Sequence, residues 1–436
     1  MDTVNILWLR RDLRLDDNTA LKASSDKCPV QCLFIFDRNI LSDLPVDDAR
    51  VGFIYSRLSE IHKKLQGYGA SLHIKIGKPL EVWAELLSEY SVSAVYYNRD
   101  YEPYALKRDK VVNDLLDKKG VAVHTYKDHV VFEPTQILKN DGLPYTVFTP
   151  YKKKWLSEYF SKGKQLSSHK DIAETSFVKN SMDFPTLEAI GFKKNPIKVP
   201  SPDYGAIASY EKFRDYPAQD ATGRFGPHLR FGTISIRELV RYAESKNETF
   251  LSELIWREFF IQILYHFPHV ADNNFRDKYN YVQWKNDLNE FEKWSRGETG
   301  YPMVDAGMRQ LNETGYMHNR VRMITAGFLT KHLLIDWRWG EAYFAEKLLD
   351  FELASNNGNW QWAAGTGCDA APYFRIFNPE TQHKKFDPQS DYIKQYLPEY
   401  GTSNYPRPMV EHKHARQRAL SAFKQGIDEY NKQSLK

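Results

Sequence analysis

An α/β N-terminal domain built on a doubly wound parallel sheet, followed by an all-α C-terminal domain, is the fold class that this sequence predicts. Three observations carry it. Short apolar runs alternate with amphipathic stretches through the first third of the chain. Strand signals vanish in the second half. A chain of 436 residues also exceeds what one hydrophobic core ordinarily serves.

The apolar runs lie at residues 4–9, 32–36, 72–76, 94–97 and 121–125. Between them, residues 50–65 and 79–90 repeat apolar positions at helical spacing. Strands that alternate with helices predict parallel pairing, because each crossover needs a helix to return the chain. No Gly-x-Gly-x-x-Gly follows the first run, so the common dinucleotide-binding fingerprint is missing. Residues 131–200 read as a long connector, with Pro134, Pro144, Pro150, Pro185, Pro196 and Pro200 and runs of Lys. From 201 to 436 the pattern is helical, most clearly over 250–265, 302–334 and 350–364, with a last polar helix from His414. The predicted domains are therefore 1–130, a connector at 131–200, and 201–436.

Aromatic residues make up 14% of the chain, and most of the ten Trp lie beyond residue 250. Such enrichment calls for large buried or stacking surfaces in the helical half. The net charge of +4 is a weak pointer to a polyanionic partner. Cys28, Cys32 and Cys368 make neither a disulfide framework nor a metal site, and Cys28 and Cys32 are expected to be buried thiols in a reducing, cytoplasmic setting. No secretory signal and no apolar stretch of membrane-spanning length is present, so no membrane role is expected. Gly-x-Ser-x-Gly, His-Glu-x-x-His and Gly-Lys-Ser/Thr motifs are absent. His412 and His414 diverge on a helix, and no metal is expected.

Within 350–364, Asn356 and Trp360 are four apart and share a helix face, while Trp362 must point elsewhere. One segment thus offers an amide and an indole to one site and a second indole to another. The plainer alternative makes both Trp core residues, but two residues so spaced cannot share one core face. In 317–323, Asn319 and Met323 share a face, and Arg320 and Arg322 need anionic partners, of which Asp350 is one candidate. Glu253 and Trp256 lie three apart, a carboxylate beside an indole that suits a nucleobase as well as it suits a core. The loop Thr222, Gly223, Arg224, Phe225, Gly226 leads towards a helix start and offers backbone N–H groups to a phosphate.

At these motifs the sequence resembles the photolyase/cryptochrome family, with class I cyclobutane pyrimidine dimer photolyases the nearest pattern. The resemblance spans nearly the whole chain. It starts with LWLRRDLRLDDN at residues 7–18, continues through YNRDYEPYALKRD, and is densest from Glu253 to Pro388, in TGYPMVDAGMRQLN, MHNRVRM and ASNNGNWQWAAGTGCDAAPYFRIFNP. It implies FAD in the helical domain and light-driven electron transfer to a flipped-out pyrimidine dimer, whose cyclobutane ring splits.

The resemblance also assigns roles. Tyr210, Thr222 to Gly226, Phe250, Arg257, Asn319, Arg322, Asp350, Glu352 and Asn356 match the flavin pocket, with Asn356 facing the flavin N5. Glu253, Trp256, Asn319, Met323 and Trp362 match the lesion pocket. Arg214, Arg320 and Gln382 match DNA-contact positions, to which Glu253, Trp256, Arg257 and Asn319 are added. Trp360, Trp337 and Trp284 match a relay of tryptophans running outward from the flavin.

Departures are few. Gly223 and Gly226 stand where many relatives have Ser, Phe250 where some have Trp, and Glu352 where many have Asp. Ala105 stands where folate-binding members carry Glu, and a Lys near Asp272 is missing, which disfavours folate as second chromophore and leaves a deazaflavin, another flavin or none. The expected partner is UV-damaged DNA, met by a monomer. A cryptochrome-type light sensor is the alternative; the full set of lesion-pocket residues and the lack of a long C-terminal tail oppose it. A 6-4 photolyase would need a His-containing pocket that Glu253, Trp256 and Met323 do not resemble.

Overall fold

The computed structural model describes residues 3–25, 28–162, 172 and 175–434. They pack as two compact units that interleave along the chain. The first comprises Met1–Ile137, Lys153–Pro202 and Arg224–Lys246; the second comprises Leu138–Lys152, Asp203–Gly223 and Asn247–Lys436. The division of the sequence at 130 and 200 is linear, whereas segments of the Pro-rich stretch join both units.

The first unit holds strands β1 (Thr3–Leu9), β2 (Val30–Asp37), β3 (His73–Gly77), β4 (Ser91–Asn98) and β5 (Ala122–Tyr126). Their order is β3-β2-β1-β4-β5, and each neighbouring pair is parallel. The predicted doubly wound sheet is present. Side chains of β1 alternate between two apolar layers, Leu7 and Leu9 entering one and Ile6 and Trp8 the other. A strand buried on both faces needs apolar residues at every position, which is why these runs were continuous rather than alternating. Helix Ala49–Gln66 adds Leu58 and Leu65 to the first layer, and helices Pro79–Glu89 and Pro103–Lys118 add Trp83 and Val112 to the second. Trp8 meets Trp83 edge-on at 5.5 Å. Cys32 is buried within β2, but Cys28 is only half-buried, because it precedes the strand.

The second unit is helical. Its core gathers Trp294, Met308, Leu311, Val321, Phe328, Trp337, Phe344 and Trp360. The apolar spacing over 302–334 suggested one helical stretch; the structure breaks it. Helix Pro302–Thr314 ends at Gly315, which has the left-handed φ of 66° that glycine tolerates best. Helix Asn319–Gly327 then runs into a π-turn, Phe328–His332. Helices Trp337–Lys347, Leu353–Ala364 and His412–Gln433 follow. Asp350 thus precedes its helix rather than opening it. Among the described residues, no helix is long and apolar enough to cross a membrane, and no cluster of His, Cys, Asp or Glu is placed to hold a metal.

Candidate functional site

Helix Leu353–Ala364 organises the site. Asn356, Asn357, Trp360, Gln361 and Ala364 are buried along it, and Trp362 is half-buried. Asn356 and Trp360 therefore share the inner face and Trp362 leaves it, as the spacing predicts.

Around the start of this helix stand two ion pairs. Arg322 meets Asp350 through two hydrogen bonds, 3.2 and 2.9 Å, and also donates to the Met317 carbonyl. Arg257 donates to Glu352 at 2.8 Å. The two-point contact between Arg322 and Asp350 holds both partners in one orientation. One turn into the helix, the Asn356 amide donates to the carboxyl of Glu341 at 2.8 Å and to its backbone carbonyl at 3.0 Å. Burial pushes the Glu341 carboxyl up to about 7, against the opposing hydrogen bond from Asn356. The sequence reading missed Glu341, since an acidic residue in WRWGEAYF looks like part of a solvated face.

A second group lies on helix Glu248–His266 and the segment before it. Arg214 donates to Glu253 and lies over the ring of Tyr210 at 5.2 Å. Tyr210 in turn meets Phe250 edge-on at 5.1 Å. Burial raises the Glu253 carboxyl above its usual range, opposed by the Arg214 charge. Asp215, next to Arg214, accepts from Arg320 at 2.6 Å, and Arg320 also lies over the Phe386 ring at 4.4 Å. Trp256 stacks on Phe148 with centroids 3.6 Å apart and planes at 9°. One indole face is thus occupied by a residue 108 positions away in the chain.

Trp362 and Met323 line one crevice together with Arg375 and Phe377. Trp360 and Trp337 are buried in one core, and Trp284 packs against its edge. Gly340 lets the Trp360 ring approach: a Cβ there would stand 2.1 Å from the indole. The Trp337 indole donates to Asn274 at 2.8 Å, and Trp284 meets Phe423 edge-on at 5.7 Å.

Other expected residues are more dispersed. Asn319 is exposed at its helix start, and Gln382 is half-buried in helix Pro379–Phe386. Thr222 shares a hydrogen bond with Tyr316 at 2.9 Å, and Gly223 accepts from the Asp203 amide. Arg224, Phe225 and Gly226 fall in the sheet unit. His318, absent from the expectations, caps helix Asn319–Gly327. Burial lowers its imidazole to about 4, with Arg322 and Arg320 adding to the effect, and its Nε2 is buried without a partner.

The helical unit thus offers guanidinium groups, a neutral amide, a hydroxyl pair, an orphaned imidazole nitrogen and aromatic rings. That donor set suits a ligand with both anionic and planar parts. Residues 250–403 match the family model described as the FAD binding domain of DNA photolyase, and residues 5–169 match the model described as DNA photolyase. A deoxyribodipyrimidine photo-lyase of Halobacterium salinarum is 36% identical, over 96% of this chain and 98% of the relative.

The chain belongs to the photolyase/cryptochrome family.

Solved family members agree in fold. A class III photolyase from Agrobacterium tumefaciens superposes with a TM-score of 0.89 at 33% identity, covering 98% of both chains. An archaeal photolyase from Sulfolobus tokodaii, solved with two FAD molecules, gives 0.85 at 33% identity over 97% of this chain and 99% of its own. The family's FAD-binding domain contains both ion pairs, Asn356 and the core tryptophans.

Proposed function

We propose that this protein is a light-driven DNA repair enzyme, a deoxyribodipyrimidine photo-lyase, that splits cyclobutane pyrimidine dimers. The observation that carries the reading is the division of helix Leu353–Ala364, whose inner face presents Asn356 and Trp360 while Trp362 faces the crevice shared with Met323. Near-full-length similarity to proteins named deoxyribodipyrimidine photo-lyase supports it. Within the family, the set Glu253, Trp256, Met323 and Trp362 favours dimer repair of the class I pattern over light sensing.

FAD, when bound and reduced, supplies the light-excited electron for the dimer. The residues do the rest. Arg322, Asp350, Arg257, Glu352, Tyr210, Phe250, Asn319, Thr222 and Gly223 hold the cofactor. Asn356 presents an uncharged amide, anchored by Glu341, which hydrogen-bonds without itself titrating. Trp256, Met323 and Trp362 wall the pocket for the extruded bases and exclude water from it. A dimer stacks poorly, so extruding it is easier than extruding normal bases. Glu253, raised by burial against the opposing Arg214 charge, supplies the carboxyl that hydrogen-bonds a pyrimidine edge. Arg214, Arg320 and Gln382 contact the DNA strand. Trp360, Trp337 and Trp284 carry electrons inward to keep the cofactor reduced.

A second, light-collecting chromophore is assigned to the sheet unit. A cavity of about 370 Å³ there is lined by Asn39, Lys78, Leu80, Tyr104, Lys107 and Arg108. Its apolar wall and Lys78, Lys107 and Arg108 suit a planar ring system with an anionic substituent; Ala105 disfavours folate, which leaves a deazaflavin, another flavin or none.

Expression in a repair-deficient bacterium tests the function. Survival after ultraviolet exposure should rise only when the cells then receive blue light; equal survival in light and darkness would overturn the reading.

A further inference from the structure

Lys331 is a buried lysine in the π-turn Phe328–His332, and the repair chemistry described above makes no use of it. Its ammonium donates to the carbonyl of Ala364, the last residue of helix Leu353–Ala364. It also lies 3.7 Å from the centre of the Phe423 ring in the terminal helix. Among the described residues no carboxylate pairs with it. Burial alone pushes the amine well below its usual range.

Stability does not call for a lysine at this position. An unpaired ammonium is costly to bury, and a methionine would fill a similar volume without that cost. What a lysine supplies is direction. The last carbonyls of a helix lack partners within it, and the Lys331 amine supplies one to Ala364. The aromatic face of Phe423 packs against the same amine. Trp362 stands two residues before Ala364, and Lys331, Trp362 and Met323 line the same crevice.

The π-turn has further ties to the terminal helix. His332 shares a hydrogen bond with His412 at 2.8 Å, and the His332 carbonyl accepts from Arg418. Phe423 is itself fully buried and stacked on Tyr373 at 5.5 Å. A π-turn adds a residue to one helical turn, and such insertions occur often at functional positions. Here it turns both Lys331 and His332 inward.

We propose that Lys331 is a positioning residue for the lesion pocket. By clamping the Ala364 carbonyl against Phe423, it fixes the orientation of Trp362 and makes the terminal helix His412–Gln433 part of the lesion-binding apparatus. This rests on the repair reading above.

The test compares wild type, Lys331→Met, Trp362→Ala and the double variant, all loaded with FAD. Affinity is measured for one oligonucleotide with and without a thymine dimer, together with repair at saturating substrate. Lys331→Met should keep its flavin absorption, its photoreduction rate and its affinity for undamaged DNA. Dimer affinity should fall about five- to tenfold with little change in repair at saturation. The double variant should bind dimer no more weakly than Trp362→Ala alone, since both changes remove one arrangement. Unchanged dimer affinity, or losses that multiply, would overturn the proposal. Should Lys331→Met fail to hold flavin, Phe423→Leu decides: it should lower dimer affinity in the same direction, and no change would overturn the coupling. A flavin-loaded wild type without preference for dimer would instead overturn the repair reading, and this inference with it.

Discussion

The Asn356 amide donates to the Glu341 carboxyl at 2.8 Å, joining a buried neutral group to a half-buried acid on neighbouring helices. The carboxyl is pushed up to about 7 by burial. The folded state therefore holds a proton that the unfolded chain releases near the ordinary glutamate range. The stabilisation this gives is present at acid pH and is lost as pH rises towards 7, to the extent of at most about 3 kcal/mol before solvent screening. Glu341→Gln should flatten that part of the profile. Melting temperatures at pH 5 and pH 8 check it: the wild type should lose more between them than the variant, and parallel losses would show that Glu341 ionises normally.

Trp362→Ala should weaken binding to dimer-containing DNA by about 1–3 kcal/mol, the worth of one base-stacking face. Undamaged DNA, which keeps its bases in the helix, should bind as before. A gel shift with both oligonucleotides measures the difference, and unchanged affinity for the dimer would remove Trp362 from the pocket.

Trp337→Phe should block photoreduction of oxidised flavin while leaving repair by pre-reduced enzyme intact. Loss of the hydrogen bond to Asn274 should cost about 1–2 kcal/mol of stability, too little to unfold the domain. Illumination of the oxidised variant with an external donor is the assay; photoreduction at the wild-type rate would place the relay elsewhere.

Gly340→Ala sets two opposed effects against each other. Alanine favours a helix over glycine by about 1 kcal/mol. Its Cβ, however, would meet the Trp360 ring at 2.1 Å and Leu329 at 2.6 Å. Overpacking of a rigid core costs about 1–3 kcal/mol, so the clash should win and displace the indole. A lower melting temperature and slower photoreduction are expected; a more stable variant with normal photoreduction would show that Trp360 has room to spare.

The sheet was legible because a parallel strand buried on both faces writes itself as an unbroken apolar run. β1 and β2 appear within a residue or two of where residues 4–9 and 32–36 place them. The opposed faces of Asn356 and Trp362 were legible for a similar reason, since helical period alone separates them. The turn at Gly315 and the π-turn at 328–332 were not, because apolar spacing continues through both while the backbone changes course. Glu341 and the stacking of Phe148 on Trp256 were hidden for another reason: each depends on a partner distant in sequence. The flavin, lesion and relay roles came from motif resemblance rather than from spacing. The units also interleave, which a linear reading of Pro-rich segments does not reveal.

Loss of dimer under light measures the central claim most directly. A thymine-dimer oligonucleotide is mixed with purified, FAD-reduced protein and divided between blue light and darkness, and intact dimer is then quantified by chromatography. Dimer should disappear in the illuminated sample, with unmodified thymines recovered in its place, and should persist in the dark. Bound dimer that survives illumination with the flavin fully reduced would contradict the account.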